Sequence, residues 1–128
     1  MFKSAKNVNT HTPKNSRMNL VINLMSGVAL AGLAEGMALA DRAGLQQKDI
    51  LEVLGLTGLA CPMMVEKGKA ILEGSFPPNH PLQHMQKDLK LSLNMGDQLE
   101  QPLPLTASAN EVSIQKLLEE KVSLLGCT

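Results

Sequence analysis

Residues 18–34 contain no charged side chain, and this run constrains the fold more than any other part of the sequence. Its apolar side chains point in nearly every direction around a helix, which is typical of a buried central helix. The pattern predicts that this helix extends to about residue 43, because Gly44 is a good stop signal. A helix that is apolar on all sides needs cover on all sides. Either a compact wrap by the other helices supplies that cover, or a partner subunit or another domain does.

A membrane span is the main alternative for this run. The uncharged stretch is at the short limit of the roughly 17 to 25 residues that a span needs. Polar and small residues also dilute it, namely Asn19, Asn23, Gly27 and Gly32. We therefore expect no membrane span, and we expect the face containing Gly27, Ala31 and Gly32 to pack closely against another helix.

The rest of the chain predicts shorter amphipathic helices and no strands. Apolar residues recur at helical spacing in four segments, at residues 45–54, 62–73, 82–95 and 106–125. The prolines of residues 75–81 predict a loop, and Gly96 is expected to end the helix that follows. The sequence therefore predicts one all-α domain, a bundle of about five helices around a long buried central helix.

The first 16 residues have a different character. They are polar, include Pro13 and show no sustained periodicity, so residues 1–16 are expected to form a disordered basic tail. A transit segment or a basic arm on nucleic acid remains an alternative to a plain polar tail. Cys61 and Cys127 lack the spacing of a metal or redox motif, which favours reduced thiols in an intracellular protein.

No motif for independent catalysis is present, and no metal site is expected. The sequence lacks GxGxxG, Walker, GxSxG and HExxH patterns. Asn19 and Asn23 lie four residues apart on one face of the predicted helix. They either bond to a neighbouring helix or line a cleft and orient a polar ligand. Lys87 and Asp88 likewise form either a solvated pair or part of a site in which the lysine meets an anionic cofactor.

Three segments together resemble a known family. They are NLVINLMSGVALAGLAEGMALADRAGL, ILEGSFPPNHPLQHMQKDLKLSLNMGD and PLPLTASANEV, which occur in this order. They resemble the C-terminal helical domain of the β-hydroxyacid dehydrogenase family, which includes 3-hydroxyisobutyrate dehydrogenases. The glyoxylate and succinic-semialdehyde reductases and the chromatin-associated N-PAC branch are the most similar. The resemblance implies a 6-phosphogluconate dehydrogenase C-terminal-like bundle over residues 17–125.

The resemblance also implies roles for three residues. The family motif has a catalytic lysine followed four residues later by a substrate-orienting asparagine, and Asn23 matches that asparagine. Asn19 occupies the position of the lysine, and it is expected to be non-catalytic because an amide cannot deliver a proton at neutral pH. Loss of general acid–base catalysis lowers rates by about 10² to 10⁴. Lys87 matches the lysine that approaches the cofactor NAD(P).

The family has a nucleotide-binding Rossmann domain before the helical one, and residues 1–16 do not match it. We therefore expect an oxidoreductase-like domain without catalysis alone, which binds NAD(P) weakly or only with a Rossmann domain supplied in trans. The resemblance implies homo-oligomers. The alternative function is an N-PAC-like interaction module that binds chromatin proteins. Location in the nucleus or cytoplasm is expected rather than in the mitochondrion.

Overall fold

The computed structural model describes residues 14–73 and 80–124, and within these ranges all regular structure is helical. The five helices are α1 (Lys14–Arg42), α2 (Gln47–Leu54), α3 (Pro62–Glu73), α4 (His80–Gln98) and α5 (Pro104–Leu124). The prediction of an all-α bundle of about five helices is confirmed.

Helix α1 organises the bundle because each of the other four helices packs against it. α4 and α5 also pack on each other, and α2 packs on α3. The buried apolar side chains come mainly from α1, and they are Leu33, Met37, Ala40, Leu89 and Ala109. The predicted central position of the long helix is therefore correct.

The expectation that α1 is buried is wrong for the chain taken by itself. Met18, Met25 and Leu39 are 54%, 59% and 71% exposed. Only 17% of the most apolar window within residues 16–42 is buried, and by length and composition alone this helix could cross a membrane. The cause is that the shorter helices cover only part of its circumference. The alternative of cover supplied by a partner or another domain thus remains open.

The predicted stop of the first helix is confirmed. α1 ends at Arg42, and Gly44 adopts a left-handed conformation with a φ of 79°. The Gly44 N–H donates to the carbonyl of Asp41 at 3.2 Å, and the Leu45 N–H donates to that of Ala40 at 2.9 Å. This pair of bonds forms a Schellman cap, in which glycine is favoured because it has no Cβ.

Gly96 does not end its helix, contrary to the sequence-based expectation. α4 continues to Gln98, and the left-handed residue is Glu100, with a φ of 56°. The Gln101 N–H closes the cap by donating to the Gly96 carbonyl at 2.8 Å. A Cβ at residue 96 would lie 2.8 Å from the Gln101 carbonyl oxygen. Gly96 is therefore required where the returning chain approaches the helix, not where the helix stops.

Three helices begin earlier than the sequence predicts. α1 starts at Lys14, inside the stretch expected to be a disordered tail. α4 starts at His80 and accommodates Pro81 in its first turn, where a missing N–H leaves no bond unmade. α5 starts at Pro104 for the same reason. Residues 1–13, residues 75–79 of the predicted loop, and Cys127 lie outside the described residues.

Candidate functional site

The site lies where α1 crosses α4, and a glycine sets the distance between the two helices. Gly27 is buried, and a Cβ at this residue would lie 3.0 Å from Cδ2 of Leu89. About two turns earlier on α1, the carbonyl of Leu20 accepts a bond from the buried Ser92 hydroxyl at 3.4 Å. Higher residue numbers on α1 thus contact lower residue numbers on α4, so the two helices are antiparallel.

Between these two contacts lies a bond from Asn23 to Asp88. The Asn23 Nδ2 donates to Oδ2 of Asp88 at 2.9 Å. An ionised carboxylate only accepts hydrogen bonds, so the amide must turn its NH₂ group toward Asp88. Asn23 is exposed, while Asp88 is half-buried. The carbonyl oxygen of the Asn23 amide and its second N–H are therefore held in a defined orientation at the surface.

Asn19 lies about one turn before Asn23 on the same helix. Its side chain is exposed, and it makes no hydrogen bond to any of the residues that the structure describes. Both asparagine side chains are open to solvent, although the helix that carries them was expected to be buried. The Asn19 amide can donate and accept hydrogen bonds, but it has no proton to deliver at neutral pH.

Lys87 precedes Asp88 on α4, and consecutive helical residues point about 100° apart. Asp88 therefore faces α1, while Lys87 is exposed at the edge of the crossing. The ion pair that joins Lys116 and Glu119 at 3.0 Å does not involve Lys87. The Lys87 ammonium can thus move to meet an anionic group, since its stem is flexible.

No sequence pattern predicts the pairing of Asn23 with Asp88. The two residues are 65 positions apart, and no spacing rule connects them. Because Lys87 and Asp88 are consecutive, the sequence predicts that they lie on the same turn of a helix. It does not predict that Asp88 faces α1.

The described residues contain no group of three or more His, Cys, Asp or Glu side chains placed to hold a metal ion. Cys61 is the one cysteine within these residues, and it is an exposed free thiol. The arrangement at the crossing instead offers an oriented amide, a carboxylate and a mobile ammonium. Such groups can bind and orient a polar or anionic ligand through hydrogen bonds and charge.

Comparison with known proteins assigns the fold to a family. Residues 15–121 match the model of the NAD-binding domain of NADP-dependent 3-hydroxyisobutyrate dehydrogenase. A crystal structure of 3-hydroxyisobutyrate dehydrogenase from Salmonella typhimurium superimposes with a TM-score of 0.73 and 28% identity. The match covers 78% of this chain and 35% of that one. The helices therefore correspond to one part of a larger dehydrogenase subunit.

Two kinds of curated relative are similar in sequence. The cytokine-like nuclear factor N-PAC of Aedes aegypti is 64% identical over 97 residues, which cover 76% of this chain and 17% of that protein. The glyoxylate/succinic semialdehyde reductase 1 of Arabidopsis thaliana is 38% identical over 96 residues, covering 75% and 33%. The chain thus spans a third or less of the length of these relatives. It belongs to the 3-hydroxyisobutyrate dehydrogenase family, within the region of the helical NAD-binding domain.

Proposed function

We propose that this chain is the helical half of a dehydrogenase-type site, which orients a polar ligand, contacts NAD(P) and self-associates without catalysing turnover alone. The observation that carries this proposal is the 2.9 Å bond from Asn23 to Asp88. It holds the amide that matches the family's substrate-orienting asparagine in one orientation. Lys87 lies beside it and is exposed toward solvent.

The absence of turnover follows from Asn19. The family lysine at this position transfers a proton to or from the substrate oxygen and stabilises its developing charge. The Asn19 amide can offer a hydrogen bond to that oxygen, but it supplies neither the proton nor a positive charge. Loss of a general acid of this kind lowers rates by about 10² to 10⁴. Asn23 would still position a ligand, so binding and turnover are separated in this chain.

The contact with NAD(P) is proposed for Lys87, whose exposed ammonium suits a phosphate or a ribose hydroxyl. The nicotinamide ring supplies the hydride in this class of reaction. The sequence contains no GxGxxG turn to hold the pyrophosphate, which is the usual source of tight dinucleotide binding. Binding by the chain alone is therefore weak, and a Rossmann domain supplied in trans would strengthen it.

A titration and an assay test this function. NADPH is titrated into the purified chain and into Lys87→Ala, first alone and then with the Rossmann domain of a reductase relative. The expected result is tight binding only in the mixture, with the affinity reduced by Lys87→Ala. NADPH oxidation with glyoxylate or succinic semialdehyde is expected to be absent for the chain alone. Measurable turnover without an added domain would contradict the proposal.

The alternative function is a chromatin-associated interaction module. What favours it is the 64% identity to a protein named as a nuclear factor, which exceeds the 38% identity to a named reductase. Chromatin proteins would be the partners, and the nucleus or cytoplasm the location. Salt-dependent nucleosome binding that survives deletion of residues 1–16 would support a folded binding surface. Binding that disappears with the deletion would leave only a basic arm.

A further inference from the structure

An apolar groove lies between α1 and the segment that begins α5, and we call it the α1–α5 groove. Its α1 wall consists of Leu24, Met25, Val28 and Ala29, and its other wall consists of residues 102–106. The groove has a volume of about 490 Å³, which is the size of a small-molecule site. At 1.5 Å per residue, Leu24 to Ala29 spans about 7.5 Å of helix, so the groove accommodates a short chain.

The α1–α5 groove is separate from the candidate site at the α1–α4 crossing. Consecutive helical residues point about 100° apart, so the α1 residues of the groove point about 100° to 240° away from Asn23. No residue of α4 lines the groove. A ligand bound there would therefore leave the Asn23 amide accessible.

Thr106 is a buried polar residue of this apolar groove. It is 2% exposed and lines the groove. Its hydroxyl makes no hydrogen bond to any residue in the described ranges, and its oxygen is not fully enclosed. The Ser108 hydroxyl, one turn away at most, instead donates back to the Pro104 carbonyl at 3.2 Å. Since buried hydroxyls in proteins normally have a partner, Thr106 is available to a molecule in the groove.

The first turn of α5 adds unused backbone donors beside Thr106. The Ala107 N–H donates to the Leu103 carbonyl at 3.0 Å, but the N–H groups of Leu105 and Thr106 have no backbone acceptor among the described residues. α5 is 21 residues long, and its first turn contains no acidic residue. The start of such a helix carries a partial positive charge, which favours an anion.

The chemistry of the α1–α5 groove defines its occupant. Hydrogen-bond donors lie at one end, and apolar side chains line the rest. The matching molecule has an acceptor at one end and an alkyl chain behind it. A peptide or a helix matches less well, because its backbone N–H and carbonyl groups would be buried against apolar walls without partners. Met25 is flexible enough to repack around an alkyl chain.

We propose that the α1–α5 groove binds a short amphiphilic carboxylic acid. The carboxylate accepts hydrogen bonds from the Thr106 hydroxyl and the Leu105 N–H. The alkyl chain lies along Leu24, Met25 and Val28. The negative charge sits at the start of α5, where the helix dipole stabilises it.

A nuclear magnetic resonance titration tests this binding in the full chain. Octanoate is added to the ¹⁵N-labelled protein without NADPH, and the amide resonances of Leu105 and Thr106 are expected to shift most. The expected dissociation constant is about 1 mM or lower, as for other ligands of this size. Octanol has the same chain without the carboxylate, and it should bind at least about tenfold more weakly because hydrogen bonds to a charged group are stronger.

Three variants locate the ligand. Thr106→Val removes the hydroxyl and keeps the shape of the side chain, so the dissociation constant for octanoate should rise about tenfold. Ala29→Leu fills the groove and should raise it at least about tenfold. Ser108→Ala is the matched control, because it removes a neighbouring hydroxyl that bonds within its own helix, and octanoate affinity should stay unchanged. Circular dichroism should show retained helix in all three.

Several results would overturn the proposal. Equal affinity for octanoate and octanol would make the α1–α5 groove a non-specific apolar surface. Binding that Ala29→Leu leaves unchanged would place octanoate elsewhere on the protein. Octanoate binding that weakens as the protein concentration rises would show that a second copy occupies the groove. Because no arm of the experiment involves NADPH or a Rossmann domain, these failures would leave the proposed function intact.

Discussion

The Asn23 amide nitrogen lies 2.9 Å from a carboxylate oxygen of Asp88, and this bond joins α1 to α4 at the edge of their crossing. Because the carboxylate only accepts, the bond determines which way the amide faces. The rest of the crossing supports it: Gly27 packs on Leu89 on one side, and Ser92 bonds to the Leu20 carbonyl on the other. The buried contact between α1 and α4 thus supports a bond that orients the exposed Asn23 amide.

Replacing the amide by a second carboxylate should weaken the crossing. Asn23→Asp places two carboxylates in contact, and because Asn23 is exposed we expect a loss of only about 0.5 to 1 kcal/mol at pH 7. The loss should shrink at high ionic strength, because salt screens the repulsion between exposed charges. Urea denaturation of this variant and the native chain at low and high salt measures the difference.

The exchanged pair provides the control. Asn23→Asp combined with Asp88→Asn restores one amide and one carboxylate, so stability at pH 7 should recover. If the double variant is as unstable as the sum of the two single variants, the bond between residues 23 and 88 contributes nothing specific.

Truncation of Leu89 should be costly, because its side chain is 0% exposed and packs on Gly27. Leu89→Ala removes buried methyl groups and leaves a cavity, with an expected loss of about 2 to 5 kcal/mol in unfolding free energy. Leu91→Ala is the matched control on the same helix, since Leu91 is 43% exposed. Chemical denaturation should show a much smaller loss there. Equal losses would mean that α4 does not present Leu89 to the core.

Two glycines of α1 should respond oppositely to alanine. Gly32→Ala enters open space and gains about 0.5 to 1 kcal/mol from helix propensity. At Gly27 the same gain is opposed, because the new Cβ would lie 3.0 Å from Leu89 Cδ2 and 3.4 Å from Met85 Cγ. Thermal unfolding at low protein concentration should rank Gly32→Ala above the native chain, and Gly27→Ala below Gly32→Ala. Equal gains at both positions would rule out close packing at Gly27.

The sequence predicted what depends on local chemistry. Helix type followed from apolar periodicity, and the end of α1 followed from Gly44, whose φ of 79° is the reason for that glycine. Gly96 was misinterpreted as a stop because its role depends on the Gln101 carbonyl that approaches it. A glycine near the end of a helix can therefore indicate either a helix cap or the close approach of another segment. Only the path of the chain after the helix distinguishes the two.

The burial of α1 and the site depended on the arrangement of whole helices. An apolar run indicates how much of a helix surface is suited to burial, but not which sides the other helices cover. The exposure of Leu39 was therefore not predicted. Asn23 was identified through its resemblance to a family position. Its partner Asp88 was not, because the antiparallel register of α1 and α4 brings them together from 65 positions apart.

We propose that this chain keeps the orienting half of a dehydrogenase site and lacks its proton-transfer group. The decisive experiment fuses the family-matched residues 15–121 to the Rossmann domain of the Arabidopsis thaliana reductase. The native sequence and Asn19→Lys are then compared for glyoxylate reduction at equal NADPH occupancy. We expect Asn19→Lys to raise kcat by about 10² or more. Equal kcat values for two fusions that bind NADPH and turn over would contradict it.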